Sequence, residues 1–345
     1  MTDPFDSDSA HLSDVGIDLL IEQYAGEVES QFAKSSIMRE FTPVRSIRGT
    51  DTIVNNRVGR TVLEAITPGV RPNANPTTFG RVTVTVDTVI LARDNRSMLN
   101  ELQTHFDARM ELAQDHGKEL GKFFDTAFII QAIKGSFLPA PTGSGGNSFN
   151  GAFGAGKNTQ LAAVGNELDP DLVEAAIEDI IVAMQLEDIG TEDLVILVNP
   201  TIFRVLRNND KLISTRYSEG NGKFAEGTLY QLAGCRLVMT NRIPTVIGNG
   251  KGGNHPLSNA ENGNAYDVTA NELNTIAVIL HPKSLFAGET IPLTSDIWFN
   301  REEKQWFIDS FLAFGVTTNR PDVCGTVLKA NGSPSVSSPF TDPDV

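Results

Sequence analysis

The stretch GAFGAGKN, residues 151–158, has the spacing of a loop that cradles phosphate: Gly151, four residues, then Gly156 and Lys157. Such a loop needs a hydroxyl directly after its lysine to hold magnesium, and it runs from a buried strand into a helix. Here the next residue is Asn158, an amide, and the preceding LPAPTGSGGNSFN is too rich in Pro, Gly, Ser and Asn for a buried strand. The following TQLAAVGNELDPD is broken by Gly165 and Pro170 before a long helix can form. The segment therefore reads as a loop, and a nucleotide-dependent enzyme built on Lys157 is the alternative from another class.

Other chemistry-bearing patterns fail for similar reasons. Gly248, Gly250 and Gly253 match a dinucleotide-binding glycine pattern by letter, but Pro256 and the surrounding Asn, Gly and Ser leave no helix to meet a pyrophosphate. His105 and His116 fall on one face of a predicted helix, about 16 Å apart along its axis, too far for one metal ion. They read as packed or solvated helix residues. Acidic runs such as EVES and EAAIED read as solvated helix faces. The sequence thus points to no catalytic residue, no cofactor site and no metal site, and to a protein that is not an enzyme.

Composition narrows the role further. Over 345 residues the net charge is −15, so the bulk surface repels nucleic acid rather than gripping it. That argues against a DNA-binding role but not against a shell that encloses DNA without sticking to it. Cys235 and Cys324 are far apart and read as buried thiols in a reducing compartment. MTDPFDSDSAHLSD reads as a disordered acidic leader without the features of a signal peptide, and no apolar run is long enough to span a membrane.

The elements are more telling than the motifs. Ile17, Leu20, Ile21, Tyr24, Val28 and Phe32 recur at helical spacing and predict an amphipathic helix that needs a partner surface. DTIVNNRVGRTVLEAIT and RVTVTVDTVILA predict a long two-stranded hairpin with a wide tip. Val82, Val84, Val86 and Ile90 line one face and Arg81, Thr83, Thr85 and Asp87 the other. A two-stranded ribbon cannot stand alone, so it must lie on something, a second subunit being one candidate. Residues 97–134 predict one proline-free helix, N-capped by Ser97 and stopped at Gly135, with Leu102, Phe106, Leu120 and Phe124 on its buried face. Gly117 and Gly121 would let it bend or let another backbone approach. Residues 138–168 read as loop. From 169 the pattern turns α/β: a helix capped by Asp169, a buried strand DLVILVNP, further strands, then two long strands joined at NREEK and a final strand. Residues 331–345 read as a flexible tail.

Hairpin and long helix both project beyond any single core, which implies an obligate assembly. The order of parts resembles the major capsid proteins of tailed bacteriophages, with the HK97-like fold. Gly26–Val28, Phe32–Ser36, Arg45–Ile47 and Gly59–Thr61 stand where autographivirus-type short-tailed phages carry similar segments. VNPTIFRVL, LYQLAGCRLVMTNRIP and NRPDVCGTVLKA resemble the axial strand and helix, the strand after them, and the closing peripheral strand of that family.

The resemblance implies an α+β chain with an N-terminal arm (1–49), an extended hairpin loop (50–92), a peripheral domain (93–168 and 291–330, with spine helix 97–134) and an axial domain (169–290). It implies self-assembly into pentamers and hexamers of an icosahedral head around double-stranded DNA, in a virion assembled in the bacterial cytoplasm. A separate scaffolding protein, a portal protein and decoration proteins are its implied partners. An encapsulin-type compartment is the alternative within the fold. In the type member the hairpin is cross-linked through a lysine; from Thr50 to Arg93 this chain has none. A non-covalent seam is expected instead, made by the valine face and by Arg57, Arg60, Glu64, Arg71, Arg81 and Asp87.

Overall fold

The computed structural model describes residues 14–61, 63–66, 68–69, 71, 77–97, 108–143, 149, 152–209, 212, 222–223, 228–244 and 255–331, with side chains from residue 21 onward except at 108–109, 222–223 and 228. Leu102, Phe106, His105 and the 248–253 glycine pattern lie outside the described residues.

The arm begins with α1 (Asp14–Ser35) and the single turn α2 (Met38–Phe41). As the spacing predicts, Tyr24, Val28 and Phe32 are buried. They face α3 (Ala108–Phe137), the long spine helix. The two helices come close because α3 carries glycines at the crossing. A Cβ at Gly117 would stand 2.7 Å from the Val28 carbonyl oxygen, and one at Gly121 would stand 2.9 Å from Ser35. Leu120 and Phe124 are buried as expected, Phe124 stacked on Phe128 and edge-on to Phe32.

One expected end of the spine helix needs correction. Ser97 closes a strand, β4 (Ile90–Ser97), and residues 98–107 after it lie outside the described residues. ILARDNRS looks unlike a buried strand because its polar groups are answered by its neighbour, Arg93 and Asn95 bonding to Asp309 and Gln305. Gly135 does not stop α3, which runs on to Phe137. It is a packing glycine: a Cβ there would lie 2.8 Å from Cys324 Sγ and from Thr318 Cγ2.

Two sheets carry the rest. The first has the order β1 (Val44–Ser46), β12 (Leu285–Asn300), β13 (Gln305–Thr318), β4, with β1 parallel to β12 and the other pairs antiparallel. The turn at 301–304 falls where NREEK predicts it, with Lys304 at φ 54. The second has the order β5 (Lys157–Gln160), β14 (Cys324–Leu328), β11 (Thr275–Leu280), β6 (Val195–Val198), β10 (Cys235–Met239), β9 (Gln231–Leu232), and a separate short ribbon pairs β7 (Gly222–Lys223) with β8 (Thr228–Leu229). Its central strands β6 and β11 are buried at every residue. Val195, Leu197, Val278 and Leu280 join the core under α3. Ile196, Val198, Ala277 and Ile279 join the core under α4 (Pro170–Gln185) and α5 (Pro200–Arg207). Burial on both faces explains the unbroken apolar runs. α4 starts as predicted, with the Asp169 carboxylate accepting from the Asp171 amide at 3.0 Å and Pro170 in the first turn.

The sheets divide the chain differently from the sequence-drawn boundaries. Residues 157–160, read as loop, form the edge strand β5, and the closing strand β14, read as peripheral, lies inside the six-stranded sheet. KNTQ has no apolar signal because an edge strand is held by its backbone, here parallel to β14. Strand β12 likewise starts at Leu285, before residue 291.

Candidate assembly surface

The hairpin pairs β2 (Thr52–Val58) with β3 (Phe79–Thr85), Thr52 opposite Thr85 and Val58 opposite Phe79. Its two faces differ. Ile53, Asn55, Arg57, Val82 and Val84 point inward; Val54, Asn56, Val58, Phe79, Arg81 and Thr83 point outward. Of the valine face, Val84 is buried within the chain and Val82, Val86 and Ile90 are half-buried. Val84 is 3% exposed. The hairpin crosses β12 and β13 at Gly288 and Gly315, which stand opposite each other in the sheet. A Cβ at Gly315 would meet the Thr85 carbonyl oxygen at 2.6 Å, and one at Gly288 would meet Ile47 at 2.6 Å. The glycine pair makes the groove in which the root of the hairpin sits.

The expected seam residues separate accordingly. Arg57 lies on the inner face, donating to the carbonyls of Asn319 and Thr318 and standing over the Phe153 ring. Burial pulls its guanidinium pKa down, against the pull of Asp322. Arg60 reaches Asp188 at 3.5 Å in an exposed pair. Asp87 accepts from Asn259 Nδ2 at 3.2 Å and from Thr88. Glu64, Arg71 and Arg81 are exposed. The apolar residues beside them are the ones that sequence reasoning missed: Leu63 is 92%, Ile66 72% and Phe79 58% exposed, with Val54 and Val58 also open. The signal was present in TVLEAI, whose Leu63 and Ile66 have no partner strand among the described residues.

A second open face lies on the four-stranded sheet. Val89, Leu91 and Trp298 are exposed, and Trp298 stacks on its cross-strand partner Phe307 at 4.6 Å. Arg93 grips Asp309 with two hydrogen bonds of 2.7 and 2.6 Å, and Trp298 Nε1 donates to the same carboxylate at 3.1 Å. Burial pushes the Asp309 carboxyl up, but these hydrogen bonds and the Arg93 charge outweigh it and hold it below the usual range. The face is apolar, aromatic and rigidly set.

Buried polar nodes tie the arm to this frame. Asp125 of α3 accepts from Ser36 Oγ at 2.7 Å, Ile37 N at 2.8 Å, Met38 N at 3.0 Å and Arg242 Nη1, while Arg242 Nη2 donates to Ser35 Oγ at 3.1 Å. One carboxylate thus caps α2, joins α1 to α3 and reaches the end of β10. A second node places Tyr24 OH 2.8 Å from His116 Nδ1, with His116 Nε2 2.9 Å from Asp94 Oδ2 and Ser310 Oγ 3.3 Å from Nδ1. Burial raises the Tyr24 hydroxyl to about 12. A serine, a histidine and an aspartate in line resemble a hydrolase triad, but Ser310 is fully buried and Tyr24 holds the histidine more closely, so the serine is not presented as a nucleophile.

Lys157 is equally committed. Its ammonium pairs with Glu187, and Asn158 Nδ2 donates to the Ser136 carbonyl at 3.2 Å. Gly156 is pressed against the carbonyls of Gly135 and Ser136, so this glycine serves close packing at the end of α3. Both cysteines are buried and free. Among the described residues no three His, Cys, Asp or Glu are placed to hold a metal ion, and no helix is long and apolar enough to cross a membrane.

No protein-family model matches the chain, and no curated protein matches it by sequence. Solved structures do. The mature capsid of bacteriophage PhiM1 is 26% identical with a TM-score of 0.73, covering 86% of this chain and 87% of that one. The capsid of cyanophage P-SCSP1u is 17% identical with a TM-score of 0.72, covering 84% and 86%. A virus-like particle from Pyrococcus furiosus is 12% identical with a TM-score of 0.51, covering 89% and 99%.

Proposed function

We propose that this chain, a tailed-phage major capsid protein with the HK97-like fold, assembles into the pentamers and hexamers of an icosahedral head that encloses double-stranded DNA. The observation that carries the reading is the likeness to the PhiM1 mature capsid subunit along nearly the whole of both chains. Its role is structural rather than enzymatic; the Lys157–Glu187 pair and the burial of Ser310 and His116 support that. The reading brings with it a separate scaffolding protein, a portal protein and decoration proteins, with assembly in the host cytoplasm.

The geometry supports a specific way of holding the shell. The outward hairpin face, with Val54, Val58, Leu63, Ile66 and Phe79 beside Arg60, Arg71 and Arg81, lies over the sheet of a neighbouring subunit. The Val89, Leu91, Trp298 and Phe307 face, with the exposed acid Asp296 on the same side, offers it apolar area and a carboxylate. Burying a large apolar side chain contributes about 1.5–3 kcal/mol, whereas an exposed ion pair contributes about 0–1 kcal/mol. Apolar burial therefore holds the seam, and the arginines set its register.

Light scattering on purified Leu63→Asp and Phe79→Asp proteins tests this. The expected result is loss of shells with an unchanged melting temperature, because both side chains are exposed in the single chain. Shells formed at wild-type yield by both variants would remove the hairpin from the seam.

A further inference from the structure

Asn-Gly pairs occur in the chain at 150–151, 221–222, 249–250, 262–263 and 331–332. Such a pair can modify itself, because glycine has no Cβ to keep its backbone nitrogen away from the asparagine side-chain carbonyl carbon. Asn150, Asn221 and Asn249 lie outside the described residues. The other two are held in opposite ways. Asn262 is caged: its Oδ1 accepts from the amides of Asn259 at 3.1 Å and Ala265 at 3.3 Å, and its Nδ2 donates to the Leu257 carbonyl at 2.6 Å. The attacking nitrogen is engaged as well, since the Gly263 amide donates to the Ala260 carbonyl at 3.3 Å. Asn331 stands just past the last strand. Lys329 and Ala330 before it are buried, whereas Asn331 is exposed. It borders a cleft of about 510 Å³ together with Gln160, Leu161 and Ala330. Asn274 Nδ2 donates to its Oδ1 at 2.8 Å, which fixes the side-chain carbonyl and draws electrons from its carbon.

We infer that Asn331–Gly332 is a self-modifying site, which converts to aspartate and isoaspartate without an enzyme. The Gly332 amide gives its proton to hydroxide, and its nitrogen attacks Cγ of Asn331. A nitrogen–Cγ bond forms, the bond from Cγ to Nδ2 breaks, and Nδ2 leaves as ammonia after taking a proton from water. The cyclic imide then adds one water. Opening at the side-chain carbonyl gives aspartate, and opening at the main-chain carbonyl gives isoaspartate. Nothing is oxidised or reduced. Either product places a new carboxylate where the tail leaves the sheet. Isoaspartate also inserts a methylene into the main chain, which re-aims residues 332–345. At Asn262 the same reaction must first break the cage. Each hydrogen bond given up slows the step about five-fold, so losing three slows it roughly 100-fold. The inference concerns the single chain and stands apart from the capsid reading.

Peptide mapping reads the site directly. Purified full-length protein is held folded in mildly alkaline buffer, digested at intervals and mapped by mass spectrometry, with a digest of fresh protein as the blank. The expected result is deamidation at Asn331 with isoaspartate among the products. At Asn262 the rate should be lower by roughly 100-fold, and it should rise to that of Asn331 once the chain is unfolded in denaturant. Hydroxylamine, which cleaves the imide, should release residues 332–345 from the folded chain without cutting at Asn262. Gly332→Pro removes the attacking N–H and should abolish both signals at Asn331 while leaving the melting temperature unchanged. An Asn331 that stays intact in the folded chain would overturn the inference. So would equal rates at Asn262 and Asn331 in the folded chain, or undiminished deamidation of Asn331 in Gly332→Pro.

Discussion

Asp125→Ala is the perturbation whose cost the structure defines best. The carboxylate is fully buried and accepts from one hydroxyl, two backbone amides and the Arg242 guanidinium. Removing it leaves that guanidinium, 13% exposed, without its counter-charge. Breaking a buried pair by deleting one partner costs about 3–5 kcal/mol. The stranded Ile37 and Met38 amides each add about 1–3 kcal/mol where water cannot reach them, though the terms share partners and do not sum. A total near 5 kcal/mol lowers the melting temperature by roughly 10 °C. The damage should also be local, because Asp125 holds residues 36–38 to the spine helix. Limited proteolysis should therefore cut the arm near residue 36 in the variant before the rest unfolds. Replacing both partners, as Asp125→Leu/Arg242→Met, removes the stranded charge and should recover part of the loss. Calorimetry of the two single variants and the double variant measures the coupling. A cost below about 1 kcal/mol for Asp125→Ala, or a double variant as unstable as the sum of the singles, would refute the claim that this node holds the arm.

Phe124→Ala should cost about 3–5 kcal/mol and reduce shell yield sharply, because the ring packs against Phe32, Phe128 and Phe314; denaturant unfolding reads it. His255 is buried beside Phe123 and Tyr266, and desolvation lowers its pKa from 6.5 to about 4. Between those values the unfolded chain takes up a proton that the folded chain refuses. Its contribution is thus fully present above pH 6.5 and lost as pH falls, by about 3 kcal/mol near pH 4; His255→Gln should flatten that limb of the stability curve. Boiled mature particles should run as one band near 37.3 kDa, since the hairpin offers no lysine; a ladder that survives detergent and reductant would count against a non-covalent seam.

What the sequence revealed and what it hid follow a physical pattern. Local periodicity was readable: α1 with Tyr24, Val28 and Phe32, the Asp169 cap, and the alternation of β3 all stand where expected. Direction was not. Alternation shows that a hairpin has two faces, but both carry apolar residues here, and only the Gly288–Gly315 groove decides that Val84 turns inward. Strands held by partners rather than by their own burial were also hidden. KNTQ is an edge strand, and RDNRS is a strand because Asp309 and Gln305 answer it from β13. The Asp125–Arg242 node joins residues 117 positions apart, and no local pattern announces such a pair. Candidate chemistry was legible mainly as failure: Asn158 already argued against a phosphate loop, and the structure shows Lys157 held by Glu187.

Electron microscopy of the purified protein tests the central claim most directly. The account predicts closed icosahedral shells built from pentamers and hexamers, with the hairpin of each subunit lying across the four-stranded sheet of a neighbour. Small shells loaded with an enzyme would favour the encapsulin-type compartment. Dispersed monomers that hydrolyse ATP, and lose that turnover in Lys157→Ala, would contradict the account outright.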